Sequence, residues 1–494
     1  MAFTCNLPAI SIFLCMLCAI FSPAMSAKTA RRATILLLCA VCAMSFIVLC
    51  YTLRTGDSFV FLMGRFPAPW GNEIRGGVLE GLLAVLFSLI MLTSILGGLK
   101  HITVEVDPNK ANLYFIMVDL MMASLLALIY TNDLFTAYVF VEINTIAAGG
   151  LIMIRQIGRT YVAAIRYLIM SQLGSGLFLL SLAMLYSLTG QLLMQPAHTA
   201  VSELFAVGTY TEPLIVTIAL MTVGLAIKSG LYPFHSWMPD TYGYSTAASS
   251  SILSGLVSKG YIVLLLKIYY RVIGLDIIME GKISNILFVF GLAGMVMGSL
   301  SAIREADIRR MTAFSSVAQI GYVYMGLGLG TEYGVIASVF HILTHAISKP
   351  LLFLSATGLS DVSGGSKRFY NLRGAGYRNP LAGAGFTIGS LSMVGLPLFA
   401  GFISKLLFAE AAIRDPHKML PALIVLAVST ILNAIYFLHT VITIYTPTGN
   451  SQPMREKNHG LQFAIIIFSV INIGLGLCSE PIVNMIKTGL AMFG

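Results

Sequence analysis

Uncharged apolar runs of about twenty residues, the length that carries a helix across a bilayer's hydrocarbon core, recur from one end of the chain to the other. They predict fourteen spans, at about 7–26, 33–53, 76–99, 111–130, 134–154, 161–187, 212–233, 245–270, 283–302, 311–330, 333–357, 381–413, 419–445 and 461–486. The longest connections, roughly 54–75, 188–211 and 358–380, are under 25 residues, which leaves no room for a soluble domain or a cofactor fold. Two spans carry helix breakers. The seventh contains Lys228-Ser-Gly-Leu-Tyr-Pro233-Phe-His235 and the twelfth Gly395-Leu-Pro397-Leu-Phe-Ala-Gly401-Phe-Ile-Ser-Lys405. A proline frees a backbone carbonyl, and at membrane depth only protein or a water-filled cavity can satisfy it. Interrupted, lysine-bearing helices five spans apart are what an inverted repeat produces, because an odd offset reverses direction across the membrane.

Composition strengthens this pattern. The chain is 57% hydrophobic and only 10% charged, and its mean hydropathy is +0.86, so an all-α polytopic membrane protein is predicted and a soluble enzyme is excluded. The net charge of +9 is dispersed over short loops and forms no single basic face, which argues against nucleic acid. Seventeen lysines and arginines follow odd-numbered spans, against eight after even-numbered spans and at the C-terminus. By the positive-inside rule both termini face outward, and the expected location is the cell membrane of a prokaryote. The first apolar run ends in Ala24-Met25-Ser26-Ala27, like a signal-peptide cleavage site. Its positive charges, Lys28, Arg31 and Arg32, follow the run instead of preceding it, so it reads as span one.

Five lysines then stand out: Lys228, Lys259, Lys267, Lys349 and Lys405 lie inside spans. An ammonium at mid-membrane costs at least ~2.5 to 3.5 kcal/mol, so each needs a reason. Glu142 in span five can keep Lys228 ionised, and Lys228 can do the same for Glu142; separating them changes the proton affinity of both. Lys259 is flanked by serines and glycines that leave room for water. Lys267, beside Tyr269, Tyr270 and Arg271, is expected to snorkel at the membrane edge. His341, His345 and Lys349 follow i, i+4, i+8 spacing, so one helical face presents all three, as a proton relay requires. His235 sits at the first break and Lys405 follows the second. Asp119, Glu410 and His439 are secondary titratable candidates. No metal ligand set is read.

Several lookalikes carry less weight. Cys15/Cys18 and Cys39/Cys42 form two C-x-x-C pairs, for which helix packing competes with a metal or iron–sulfur site. Two histidines on one face of one helix cannot be the opposed axial ligands of a haem. Gly326-Leu-Gly-Leu-Gly330 imitates a dinucleotide loop but has no preceding strand.

At these residues the chain resembles the antiporter-like subunits shared by respiratory complex I, Mrp-type cation/proton antiporters and membrane-bound energy-converting hydrogenases. The resemblance is carried by Ala226-Ile-Lys228-Ser-Gly-Leu-Tyr-Pro233-Phe-His235-Ser-Trp237-Met-Pro239-Asp240 through Lys259, by Asp307-Ile-Arg-Arg through Gly321-Tyr, by His341 through Lys349, and by Gly395 through Lys405. The segment Phe66-Pro-Ala-Pro-Trp-Gly71 is similar to the Mrp D subunit and its hydrogenase-associated relatives, whereas Ile143-Asn144-Thr145 departs from the family's bulkier apolar residues. The resemblance implies two inverted five-helix repeats, at 111–273 and 274–445, between an N-terminal unit 1–110 and a C-terminal helix 446–494. It implies Glu142 and Lys228 as a coupled pair, Lys259 as central relay and Lys405 as terminal relay. It further implies proton translocation, with exchange against sodium left open. Implied partners are the other membrane subunits of an Mrp-type, hydrogenase-type or complex I-like assembly, and no cofactor is implied. A quinone-reactive redox subunit and a stand-alone solute carrier are the alternatives; the first lacks cysteine spacing or a nucleotide loop for electron entry.

Overall fold

A computed structural model describes residues 2–66, 71–280, 282–447 and 458–493. Residues 67–70 of the Phe66–Gly71 segment, and Arg455 and Lys457 among the loop charges, lie outside them. The chain is a bundle of helices, with one two-stranded antiparallel hairpin that pairs Phe59–Leu62 with Glu73–Gly76. In chain order the membrane helices are α1 (Ala2–Phe21), α2 (Ala27–Thr55), α3 (Val78–Glu105), α4 (Ala111–Tyr130), α5 (Leu134–Met153), α6 (Gly158–Thr189) and α7 (Thr211–Ser229). They continue with α8 (Ala247–Ile273), α9 (Ile283–Ile303), α10 (Ile308–Gly328), α11 (Glu332–Asp361), α12 (Pro380–Val394), α13 (Ala400–Ile413), α14 (Met419–Ile444) and α15 (His459–Leu477), and a short, more polar helix, α16 (Ser479–Ala491), follows. Among the described residues, twelve helices are long and apolar enough to cross a membrane. The other two predicted spans are α10, which is richer in polar residues, and the broken pair α12 and α13.

Local sequence sets the ends. Asp133 accepts from Thr136 N at 2.5 Å, Thr246 from Ser249 N at 3.1 Å, Asp307 from Arg309 N and Arg310 N, and Thr331 from Gly334 N, each a side-chain cap worth about 1 kcal/mol. Both predicted breaks are present. The chain leaves α7 at Gly230, runs irregularly through Pro233 and resumes as a short helix, Met238–Tyr244, before α8. It leaves α12 at Gly395 and re-enters helix at Ala400.

Two helices, α8 and α11, are buried through their central stretches, and they carry Lys259, His341, His345 and Lys349. Around α11 pack α3, α8, α10, α12, α13 and α15. The helices α9 and α10 approach so closely that a Cβ at Gly321 would stand 2.6 Å from Met295 N and 2.7 Å from Gly291 O, a contact only glycine permits.

Lys267 corrects one expectation. It does not snorkel to water: it is fully buried and donates to the carbonyls of Leu128, Ile129 at 2.8 Å and Thr131, capping the C-terminal end of α4. One turn on, Arg271 Nη2 meets Glu80 Oε1 at 2.5 Å with both side chains buried, and the guanidinium lies 4.3 Å from the Phe493 ring centroid. These contacts tie α3, α4, α8 and the C-terminal segment together.

A second polar knot holds the short helix Met238–Tyr244. Arg309 reaches the carbonyls of Tyr242, Ser245 and Thr246; Arg310 joins Asp240 to Glu305; Arg166 bonds Asp240 at 2.7 Å; and Lys367 donates to Gly243 O at 3.0 Å. Lys367 lies in the loop after α11, where burial and then the Arg309 charge push its ammonium down to about 7 from 10.5.

Two consequences are measurable. Arg271→Met strands a buried carboxylate and should cost about 3 to 5 kcal/mol in detergent denaturation, while adding Glu80→Gln restores much of the loss. The unfolded chain protonates Lys367 more readily than the folded one, so this group's contribution to stability rises as pH goes from about 7 toward 10.5. The melting temperature of Lys367→Met should therefore gain less between pH 7 and pH 9 than that of the unsubstituted protein.

Candidate functional site

The structure gathers most of the predicted titratable residues in and around α7, α8, α11 and α13. Lys228 ends α7, where its Nζ donates to Thr145 Oγ1 of α5 at 2.6 Å and to Ser171 Oγ of α6 at 3.1 Å, 5.2 Å from the Tyr261 ring centroid. It does not touch Glu142. That carboxylate, half-buried one turn before Thr145, accepts from Gln172 Nε2 at 3.3 Å, and its Oε1 has no protein partner. The expected direct pair is thus open here, with hydroxyls on the lysine. Asn144 and Thr145, the residues that depart from the family pattern, are the ones that bond: Asn144 donates to Ser124 at 2.8 Å and accepts from Tyr261 at 3.1 Å.

Lys259 follows a widened π turn at Leu253–Val257, and its ammonium donates back to the Ser254 carbonyl within that turn. Lys349 donates to Thr312 O at 3.0 Å and to Ser315 Oγ on α10. The two imidazoles run along α11, 6.0 Å apart by ring centroid and nearly parallel. His341 Nδ1 lies 2.6 Å from Ser404 Oγ and its ring stacks on Tyr322. The outer nitrogens of both histidines, and both polar atoms of the fully buried Gln319, have no protein partner. Lys259 and Lys349 stand within electrostatic range of both imidazoles, and Lys405 within range of His341.

Lys405 is seated at the second break. Its Nζ donates to Val394 O, a carbonyl at the break, at 2.6 Å and to Thr430 Oγ1 at 2.9 Å, and lies 5.5 Å from the Tyr322 ring. His235 stacks on Tyr232 and abuts Phe314 of α10, with Nδ1 unpartnered.

Three secondary candidates fall elsewhere. Asp119 is buried against α1 and α2, accepting from Thr34 at 3.1 Å. Glu410 is exposed and pairs with Arg414 at 2.9 Å, and His439 is exposed beside Phe369. Cys15 packs in the core and Cys39 is exposed; no cluster of three or more His, Cys, Asp or Glu residues that could hold a metal occurs among the described residues. Reading single residues missed Thr145, Ser171, Tyr322, Ser404 and Thr430. Their one signal is a hydroxyl inside an apolar span.

A many-helix membrane bundle with two broken helices and a buried lysine–histidine row defines an integral membrane protein of the ion-translocator class. The chain belongs to the family described as NADH:quinone oxidoreductase/Mrp antiporter, TM, which matches residues 131–444. It is 31% identical to NADH-quinone oxidoreductase subunit N of Desulforudis audaxviator, over 91% of each chain. It is 26% identical to the D subunit of the Na(+)/H(+) antiporter of Alkalihalophilus pseudofirmus, over 86% of this chain and 84% of that one. A chain of the membrane-bound sulfane sulfur reductase, an archaeal respiratory membrane complex, superposes with a TM-score of 0.89 at 25% identity, over 100% of this chain and 97% of that one.

Gly395 has φ +90°, and a Cβ there would sit 2.7 Å from Lys405 Cδ. Gly395→Ala should therefore destabilise the protein by about 1 to 2 kcal/mol, read as a lower denaturation midpoint in detergent.

Proposed function

We propose that this chain is the proton-translocating, antiporter-like subunit of a multisubunit membrane complex. The observation that carries the reading is the set of ammonium groups, Lys228, Lys259 and Lys349 buried and Lys405 half-buried, strung with His341 and His345 across α7, α8, α11 and α13. A charge kept at that depth is maintained for use, and intramembrane ionisable residues mark ion paths. Glu142 and Lys228 form the switch. When the carboxylate approaches, Lys228 holds its proton; when Lys228 rests on Thr145 and Ser171, as here, the proton is held less tightly and passes toward Lys259. Each unit of pKa difference between neighbours is worth about 1.36 kcal/mol, so modest rearrangements of the pair drive the step. The proton continues past the histidines, whose unpartnered nitrogens call for water, to Lys405. His235, at the first break, serves as a side relay.

The two breaks, each with its lysine, support inverted repeats at 111–273 and 274–445, flanked by 1–110 and 446–494. The loop charges support both termini facing outward. One relative is named as a sodium/proton antiporter subunit and another as a subunit of an NADH–quinone oxidoreductase, so the partners proposed are the membrane subunits of such an assembly.

In proteoliposomes holding the assembled complex, Lys228→Ala and Glu142→Ala should each abolish proton movement, followed with an entrapped pH dye. Undiminished transport in both would overturn the reading. Repeating the assay with a sodium gradient separates exchange from proton movement alone.

A further inference from the structure

A cleft of about 200 Å³ opens where the start of α2, the last turn of α3 and the start of α4 meet, at the membrane edge that bears the loops after α1 and α3. Its floor is apolar, with Ile102, Val106 and Phe115 buried, and its rim is basic, with Lys28 exposed and Arg31 half-buried. The frame is fixed by Asn112 of α4, whose Nδ2 donates to Ser22 O at 3.3 Å and to Met25 O at 2.5 Å and so fastens the loop after α1. The cleft lies outside residues 131–444, which hold the lysine–histidine row.

Neither rim cation is spent within the protein. Among the described residues no carboxylate pairs with Lys28 or Arg31, and the acids of the corner between α3 and α4 are engaged elsewhere: Asp107 accepts from Asn109 N at 2.9 Å, and Glu105 pairs with Arg155 at 3.3 Å. Their own helix does not account for them either. α2 opens with Lys28, Arg31 and Arg32 and has no acid in its first turn, the reverse of what the helix dipole favours. Loop charges that only set topology need no apolar cleft beneath them. Positive charge above an apolar floor, at the edge of a bilayer, complements an anionic phospholipid: its phosphate meets the cations and its first methylenes meet Phe115 and Ile102. The bilayer supplies that molecule beside the opening, whereas a soluble anion gains nothing from an apolar floor.

We propose that the cleft between α2, α3 and α4 binds one anionic phospholipid, with its phosphate held by Lys28 and Arg31. The site requires only that the chain lies in a membrane and is independent of the translocation reading. A lipid that binds the folded chain stabilises it by mass action, so occupancy steadies the N-terminal helices against the rest of the bundle.

The test adds dioleoyl-phosphatidylglycerol or dioleoyl-phosphatidylcholine to the full chain in detergent and reads the melting temperature, with native mass spectrometry of the lipid retained. Phosphatidylglycerol should raise the melting temperature and stay bound as one copy, in the assembled complex as well; phosphatidylcholine should do neither. The double variant Lys28→Gln, Arg31→Gln should weaken retention about thirtyfold. Ala111→Phe, which fills the cleft without changing charge, should weaken it about tenfold or more. The double variant Arg304→Gln, Arg373→Gln removes the same charge from the same edge, away from the cleft, and should retain the lipid as before. If that remote pair loses as much as the rim pair, the effect is diffuse surface charge and the proposal falls. It falls too if both lipids are retained equally, if Ala111→Phe binds normally, or if inorganic phosphate at equal concentration reproduces the melting shift. Retention by the isolated chain but not by the assembled complex would mean that a partner subunit covers the cleft, and would overturn it as well.

Discussion

Water's absence from the bilayer core governs this molecule: every charge and every freed backbone group at depth must find its partner inside the protein. The structure answers that demand in a consistent way. Lysines are placed where helices end or widen, so that backbone carbonyls or hydroxyls meet them. Lys405 takes the carbonyl of Val394 at a break, Lys259 the carbonyl of Ser254 in a π turn, and Lys267 the terminal carbonyls of α4. At the second break the interruption and the charge belong together: the break leaves a carbonyl free, and Lys405 supplies the donor.

The same arithmetic separates structural charges from movable ones. Arg271 and Glu80 satisfy each other directly, and with Phe493 they pin three segments together. The knot around Asp240 does likewise where the short helix after α7 meets α10. Lys228, by contrast, rests on neutral hydroxyls, with the Glu142 carboxylate one helical turn from Thr145 and bonded to Gln172 instead. On the proposed reading, a row built on serines, threonines and unpartnered imidazole nitrogens would leave alternatives for a proton at each position. A row built on tight ion pairs would trap it.

Much of this was legible in the sequence. The apolar runs located the spans, the Gly/Pro clusters located both breaks, and the i, i+4, i+8 spacing placed His341, His345 and Lys349 on one face. Ranking single residues by charge worked less well. Asp119, Glu410 and His439 resemble the row members in sequence, yet they point to α1 and α2, to Arg414 and to Phe369. Lys267 looked peripheral because it neighbours tyrosines and an arginine, a pattern shared by membrane-edge residues, and burial by α4 decided otherwise.

By itself the sequence determined the class of protein, since hydropathy over twenty residues is a local quantity, and it determined which residues are too costly to be incidental. Only the tertiary structure decided what each one meets. Thr145 lies 83 residues from Lys228 and Ser404 lies 63 from His341, and no period within one helix encodes the rotation of another. Helical spacing assigns a side chain to a face, whereas packing selects the atom across from it. That selection made Lys267 a helix cap and left Glu142 and Lys228 apart, with hydroxyls on the lysine.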